Sequence, residues 1–178
     1  GTRLAFPSDR EGSEDVFVVD ADGANLRRLT DNPADDLYPM WSMDGTRIAF
    51  VSDRNGPLEI YSMQADGTDI LRLTYDMGEN GAPDWSPDGR WIAFSGNRSG
   101  NREIYTVSAD GLQQNRLTHF PGSSDHPVWS PEGYWIAFTS DRSQAGLPTL
   151  YAMAMDGSKA FAYFDAPISP ILTPNWSR

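Results

Sequence analysis

The sequence predicts an all-β chain folded as a β-propeller of four four-stranded antiparallel blades, on three observations. Phe6, Phe50, Phe94 and Phe138 recur at intervals of 44 residues, and Trp41, Trp85, Trp129 and Trp176 at 44, 44 and 47. In three copies an Asp-Gly or Glu-Gly turn separates the tryptophan segment from an apolar one. The fourth copy is divided between the two ends of the chain. A period of about 40–50 residues holding four short strands is that of propeller blades. Helical repeats of similar length need runs of 3.6-residue periodicity, which these Gly- and Pro-punctuated segments lack.

Each unit opens on a tryptophan strand: Pro39-Met40-Trp41-Ser42, Pro83-Asp84-Trp85-Ser86, Pro127-Val128-Trp129-Ser130 and Pro174-Asn175-Trp176-Ser177. The turns Met43-Asp44-Gly45, Pro87-Asp88-Gly89 and Pro131-Glu132-Gly133 follow. Pro presets φ, the acid bonds the backbone ahead of it, and Gly accepts positive φ at the exit. The second strand is Ile48-Ala49-Phe50, Ile92-Ala93-Phe94, Ile136-Ala137-Phe138 and, at the other end of the chain, Leu4-Ala5-Phe6. It ends at Ser8-Asp9-Arg10, Ser52-Asp53-Arg54, Gly96-Asn97-Arg98 and Ser140-Asp141-Arg142. A third strand (Val16–Val19, Ile60–Met63, Ile104–Val107, Leu150–Met153) turns at Asp22-Gly23, Asp66-Gly67, Asp110-Gly111 and Asp156-Gly157. The fourth strand carries Arg28-Leu29-Thr30, Arg72-Leu73-Thr74 and Arg116-Leu117-Thr118, and degenerates to Ala162-Tyr163-Phe164.

The blades therefore span 1–38 with 174–178, 39–82, 83–126 and 127–173, in a single domain 1–178. The divided copy predicts that the C-terminal tryptophan strand pairs with the N-terminal strand and closes the ring, removing two sheet edges. The alternative is an eight-bladed ring from two chains that exchange terminal strands, so the expected state is a monomer ring or a strand-exchanged homodimer.

Composition narrows the function. The net charge of −11 argues against nucleic acid and anionic membrane and favours a basic partner. With no Cys there is no disulfide, thiol nucleophile or thiolate metal site. No run approaches the roughly 18 apolar residues of a spanning helix, so no membrane insertion is expected.

The pattern P-x-W-S-P-D-G-x-x-I-A-F-x-S-D-R followed by I-Y, D-G and R-L-T, read from Pro39 to Thr74 and Pro83 to Thr118, resembles the TolB-type, WD-repeat-like β-propeller repeat over essentially the whole chain. Blades of this kind occur in a periplasmic translocation protein, in propellers of prolyl-oligopeptidase-like enzymes and in surface proteins. The resemblance implies a periplasmic or extracellular protein. The family usually has six blades and an additional N-terminal domain, whereas this sequence holds four repeats.

Features present in every blade serve the blade, so the Ser-Asp-Arg acids are read as turn residues. Asp20-Ala21-Asp22-Gly23 lacks the Glu that a calcium loop places at its twelfth position, where Asp31 stands. No G-x-S-x-G or H-E-x-x-H occurs, and Ser123-Ser124-Asp125-His126 is too local for a triad. His119, Asp125 and His126 offer zinc-type ligands that nothing orients, so no metal or other cofactor is expected.

The informative positions are those that do not repeat, in the loops between blades: Asp35, Asp36, Tyr38, Tyr75, Asp76, Glu79, Asn80, His119, Phe120, Asp125 and His126, with a fourth loop over 165–173. These make an acidic, aromatic-rimmed cup at one face, since recognition concentrates on loops carried by a rigid scaffold. The expected function is a non-enzymatic binding module for a basic protein or peptide. Alternatives are a regulatory propeller excised from a prolyl-oligopeptidase-like hydrolase, and a carbohydrate-binding or polysaccharide-cleaving propeller using Tyr38, Tyr75 and His119.

Overall fold

The turn after each tryptophan strand is locked by a serine that reaches across it. Ser42 Oγ donates to Asp44 Oδ1 at 2.7 Å and accepts from the Arg47 amide at 2.9 Å. Ser86 repeats this with Asp88 and the Trp91 amide, and Ser130 Oγ accepts from the Trp135 amide at 3.2 Å. These bonds hold the Asp44 carboxyl below the usual carboxylate range, the Ser42 hydroxyl contributing most.

Hairpins built on such turns assemble into a meander. A computed structural model describes residues 1–75, 78–142, 147–163 and 174–176. The first sheet contains β1 (Arg3–Ser8), β2 (Asp15–Asp20) and β3 (Arg27–Arg28). The second contains β4 (Asp36–Trp41), β5 (Arg47–Ser52), β6 (Glu59–Gln64) and β7 (Leu71–Arg72). The third contains β8 (Asn80–Trp85), β9 (Trp91–Ser99), β10 (Asn101–Ser108) and β11 (Gln114–Arg116). The fourth contains β12 (Ser124–Trp129), β13 (Trp135–Ser140), β14 (Thr149–Ala154) and β15 (Phe161–Ala162). Every pairing is antiparallel between sequence neighbours, and no helix occurs among the described residues. The chain is an all-β propeller of four blades, as expected. Each later blade opens three residues before its expected boundary, because β4, β8 and β12 begin at 36, 80 and 124 rather than 39, 83 and 127.

The core lies between blades. Ile48, Phe50, Tyr61 and Met63 pack with Val16 and Val18 of the first blade. Ala49, Val51, Ile60 and Leu73 pack with Trp85, Ile92, Phe94 and Tyr105 of the third. Ala93, Ile104 and Leu117 pack with Trp129, Ile136, Phe138 and Met153 of the fourth. A sheet covered on both faces has no solvent side, which is why Ile48, Ala49, Phe50 and Val51 are all fully buried rather than alternating.

Two networks repeat, one in all four blades and the other in the first three. A stacked aromatic pair, such as Phe50 and Tyr61 at 5.6 Å, lies under the guanidinium of the Ser-Asp-Arg arginine, Arg54 standing 4.9 Å from the Tyr61 ring. The Arg-Leu-Thr motif serves a buried acid. Arg72 pairs with Glu59 at 2.9 Å, while Thr74 Oγ1 donates to Glu59 and accepts from the Ile60 amide at 2.9 Å. Asp15 with Arg28 and Thr30, and Glu103 with Arg116 and Thr118, repeat the arrangement. The fourth blade has Thr149 and Ala162 in the acid and arginine positions, and both residues of its last strand are exposed where one of the two in β3 and in β7 is partly buried.

The expected pairing of the C-terminal strand with β1 is not among the hydrogen-bonded pairings of the described residues. Trp176 Nε1 donates to Val128 O of the fourth blade at 3.1 Å, as Trp85 Nε1 donates to Met40 O of the second at 3.2 Å. Leu4 is 61% exposed where its repeat equivalents Ile48, Ile92 and Ile136 are fully buried. Two residues of the closing strand, Ser177 and Arg178, lie outside the described residues, as do Phe164 and the loop 165–173.

Arg72→Ala leaves the Glu59 carboxylate buried without its cation, and the cost expected from thermal or denaturant unfolding is about 3–5 kcal/mol. The double variant Glu59→Leu/Arg72→Leu, which removes both charges, recovers most of that loss. Equal destabilisation by the single and double variants would show that the pair is not what holds the blade.

Candidate functional site: the channel mouth

β4, β8 and β12 form the innermost layer, and each is broken by a bulge. The register shifts between Leu37 and Met40, between Gly81 and Asp84, and between Asp125 and Val128. In each bulge the residue before proline is held at positive φ: Tyr38 at 51°, Ala82 at 49° and His126 at 54°. A residue before proline prefers extended backbone, and a side chain in the left-handed region costs about 1 kcal/mol or more. The surrounding strands enforce that strain three times, and bulges of this kind re-aim side chains at functional surfaces. Tyr38, Ala82 and His126 all line a central cavity of about 1240 Å³, together with Asp84, Arg102 and Asp125.

The residues expected at the rim divide into two groups. Tyr38 and Tyr75 are 61% and 67% exposed. Tyr75 stacks on Arg72 at 4.5 Å. Asp35, Glu79 and His119 are exposed, and Phe120 is partly covered by the Arg142 guanidinium at 4.1 Å. Asp36 and Asn80, by contrast, are fully buried. Asp36 takes a two-pronged bond from Arg54, both at 2.9 Å, and another from Asn32. Asn80 donates to Glu59 at 2.7 Å. These two belong to the scaffold and correct the expectation of a rim position: they start β4 and β8, where side chains turn into the blade. Asp76 lies outside the described residues.

The Ser-Asp-Arg acids staple the loops in place, in keeping with their reading as blade features. Asp53 accepts from the Asp35 amide at 3.0 Å, Asn97 from the Glu79 amide at 2.7 Å, and Asp141 from the Ser123 amide. Asp125 and His126 are neighbours rather than a catalytic pair, with Nδ1 and Oδ1 3.8 Å apart. Among the described residues no group of three His, Asp or Glu is placed to hold a metal ion.

Two residues of the site were missed by sequence reasoning. Arg102 reaches from β10 across the joint between the third and fourth blades, 3.6 Å from Asp125 and bonded to Ser95 Oγ at 3.0 Å. Asp84 stands where the second and fourth blades have Met40 and Val128, and its Oδ2 accepts the Trp129 amide of the next blade at 2.7 Å. No cation is paired with it among the described residues, and burial pushes its carboxyl up to about 6. The signal for both was available: each is a charged residue at a position that is apolar in a sister repeat, Met40 and Val128 for Asp84, Leu58 for Arg102.

Two family models match this chain: the TolB beta propeller domain over residues 1–80 and the tricorn protease N-terminal beta propeller domain over residues 59–163. A putative TolB from Agrobacterium tumefaciens superposes with a TM-score of 0.82 at 31% identity, covering 92% of this chain and 61% of that one. TolB from Acinetobacter baumannii gives 0.78 at 27% identity, covering 90% and 41%. A Tol-Pal system protein TolB from Desulfosudis oleivorans is 41% identical over 44 residues, 25% of this chain and 10% of that protein. The chain thus spans less than two thirds of the length of these relatives.

The raised Asp84 pKa fixes a sign. The folded state holds the proton more tightly than the unfolded one, so this group's contribution to stability is complete below about pH 4 and is lost as pH rises through about 6. Asp84→Asn keeps an acceptor for the Trp129 amide and is expected to be more stable than the parent at pH 7.5 by about 1–3 kcal/mol. In denaturant titrations the gap should close between pH 6 and 4, and a gap that does not change with pH would contradict the assignment.

Proposed function

The chain belongs to the β-propeller family of TolB and the tricorn N-terminal domain, and from that premise we propose that it is a binding module without catalytic activity, offering its channel mouth to a basic protein or peptide. The observation that carries this reading is the unpaired Asp84 carboxylate in the cavity wall, below a rim with exposed Asp35 and Glu79 and the aromatic faces of Tyr38 and Tyr75. A lysine or arginine entering the mouth meets a carboxylate that burial has left short of compensation, and its arrival lowers the Asp84 pKa by supplying the missing charge. Tyrosine rings at the rim supply stacking area for the same cationic heads. The net charge of −11 adds long-range attraction for such a partner. A periplasmic or extracellular setting and a protein partner fit the Tol-Pal system relatives.

A second reading, a propeller that gates a hydrolase, rests on the tricorn model match over residues 59–163. A parent reading frame that encodes no hydrolase domain would remove it.

For the first reading, retention of an arginine- and lysine-containing peptide on immobilised protein is expected to fall as salt rises. The Asp35→Asn/Glu79→Gln/Asp84→Asn variant is expected to bind at least about tenfold more weakly. Absence of binding at low salt, or equal binding by parent and variant, would overturn the assignment.

A further inference from the structure

The 44-residue repeat supplies its own control for the polar groups of the channel wall. At the joint between the second and third blades, five positions hold Met40, Val51, Leu58, Gly81 and Ala82. At the joint between the third and fourth, the same positions 44 residues on hold Asp84, Ser95, Arg102, Asp125 and His126. Strand pairing bears out the equivalence: Met40 faces Ala49 as Asp84 faces Ala93, and Leu37 faces Val51 as Gly81 faces Ser95. Leu58 simply packs on the apolar cluster around Trp85. The repeat therefore builds this joint without polar side chains at any of the five positions. A feature found in every blade serves the blade, and one confined to a single joint needs another reason. The polar version is also the costlier one. No cation is paired with Asp84 among the described residues, and His126 Nδ1 is buried without a hydrogen-bond partner.

Asp84 and the head of Arg102 lie on one face of the third blade. Arg102 Nη1 donates to Ser95 Oγ at 3.0 Å, and a β-carbon on Gly81 would stand 3.7 Å from it. Gly81 is paired with Ser95 and Asp84 with Ala93, so the acid and the guanidinium belong to ladder positions two residues apart on β9. Side chains two apart on a strand share a face and are spaced about 7 Å. Both reach across to β12, Asp84 to the Trp129 amide at 2.7 Å and Arg102 to Asp125 at 3.6 Å. Both also line the cavity, and the Arg102 side chain is 32% exposed. Its fork of five donors exceeds the two partners, Ser95 and Asp125, that it meets among the described residues.

Resting on the channel-mouth reading above, we propose that this joint selects its partner by a pair of charges: an extended peptide segment with a lysine or arginine and, two residues along, an aspartate or glutamate, the base meeting Asp84 and the acid meeting Arg102. The extended conformation follows from the spacing, since a strand presents the side chains of one face at the same interval of about 7 Å. The acid takes charge-assisted bonds from a guanidinium that Asp125 and Ser95 already hold in place. An unbroken run of bases instead sets like charge against Arg102, which makes this arginine the specificity-determining residue of the wall.

Calorimetric titration of the full chain with short peptides, blocked at both ends, tests this. One pair carries Lys-Thr-Glu or Lys-Thr-Gln in a neutral background, and a second pair reverses the order, because the segment can run either way along the joint. The acid-bearing member of at least one pair is expected to bind about tenfold tighter than its amide twin. The sign is decisive, because a protein of charge −11 acting through net charge alone prefers the twin without the acid. In Arg102→Leu, which installs the side chain the repeat carries at Leu58, that preference is expected to vanish or reverse while the amide twin binds at least as tightly as before. Loss of affinity for both twins alike would make Arg102 a fastener of the joint and overturns the proposal. Equal or tighter binding of the amide twin in both pairs overturns it too, and leaves the basic-partner reading standing if the arginine- and lysine-containing peptide is still retained. Absence of binding by every one of these peptides overturns both.

Discussion

Burial of each sheet between two neighbours is the constraint on which this molecule depends. A propeller blade has two apolar faces and cannot satisfy both alone. The same position shows it: isoleucine at 48, 92 and 136 is wholly shielded, and leucine at 4, beside which no strand is paired on that side among the described residues, is 61% exposed. The approach is close enough to govern the backbone, since the turns at Gly67 and Gly157 leave no room for a β-carbon against the preceding blade. The buried acid, arginine and threonine of the first three blades act within a sheet instead, fastening the short outer strand to the third strand.

This division determines where function can reside. Strand residues are committed to joints, so variation is tolerated in the loops and at the three bulges, where a strained residue before proline faces the cavity. Asp84 is the exception. It occupies a strand, crosses a joint to the Trp129 amide, and still presents its carboxylate to the cavity wall. Its elevated pKa couples the channel's charge to the joint between the third and fourth blades.

Much of the fold was legible because its signals are periodic. The 44-residue spacing, the Asp-Gly turns and the tryptophan strands each predict a strand or a reversal that the structure contains. What escaped depends on burial and on partners distant in sequence. Arg72 announced itself within Arg-Leu-Thr, but Glu59, its partner thirteen residues earlier, lay outside any named motif. Asp36 and Asn80 read as rim residues because they flank variable loops, yet the strand pairing that begins at them turns both side chains inward. Ring closure was inferred from a divided repeat. Two residues of that closing strand, Ser177 and Arg178, lie outside the described residues.

Native-state hydrogen exchange, read blade by blade, tests the central claim most directly. If joints supply the stability, amides of β5, β6, β9 and β10, whose sheets are covered on both sides, exchange only through global unfolding, while those of β1 and β2 open at lower free energy with a smaller denaturant dependence. Uniform opening energies across all four blades would contradict the account, because stability would then be a property of each sheet and not of the contacts between them.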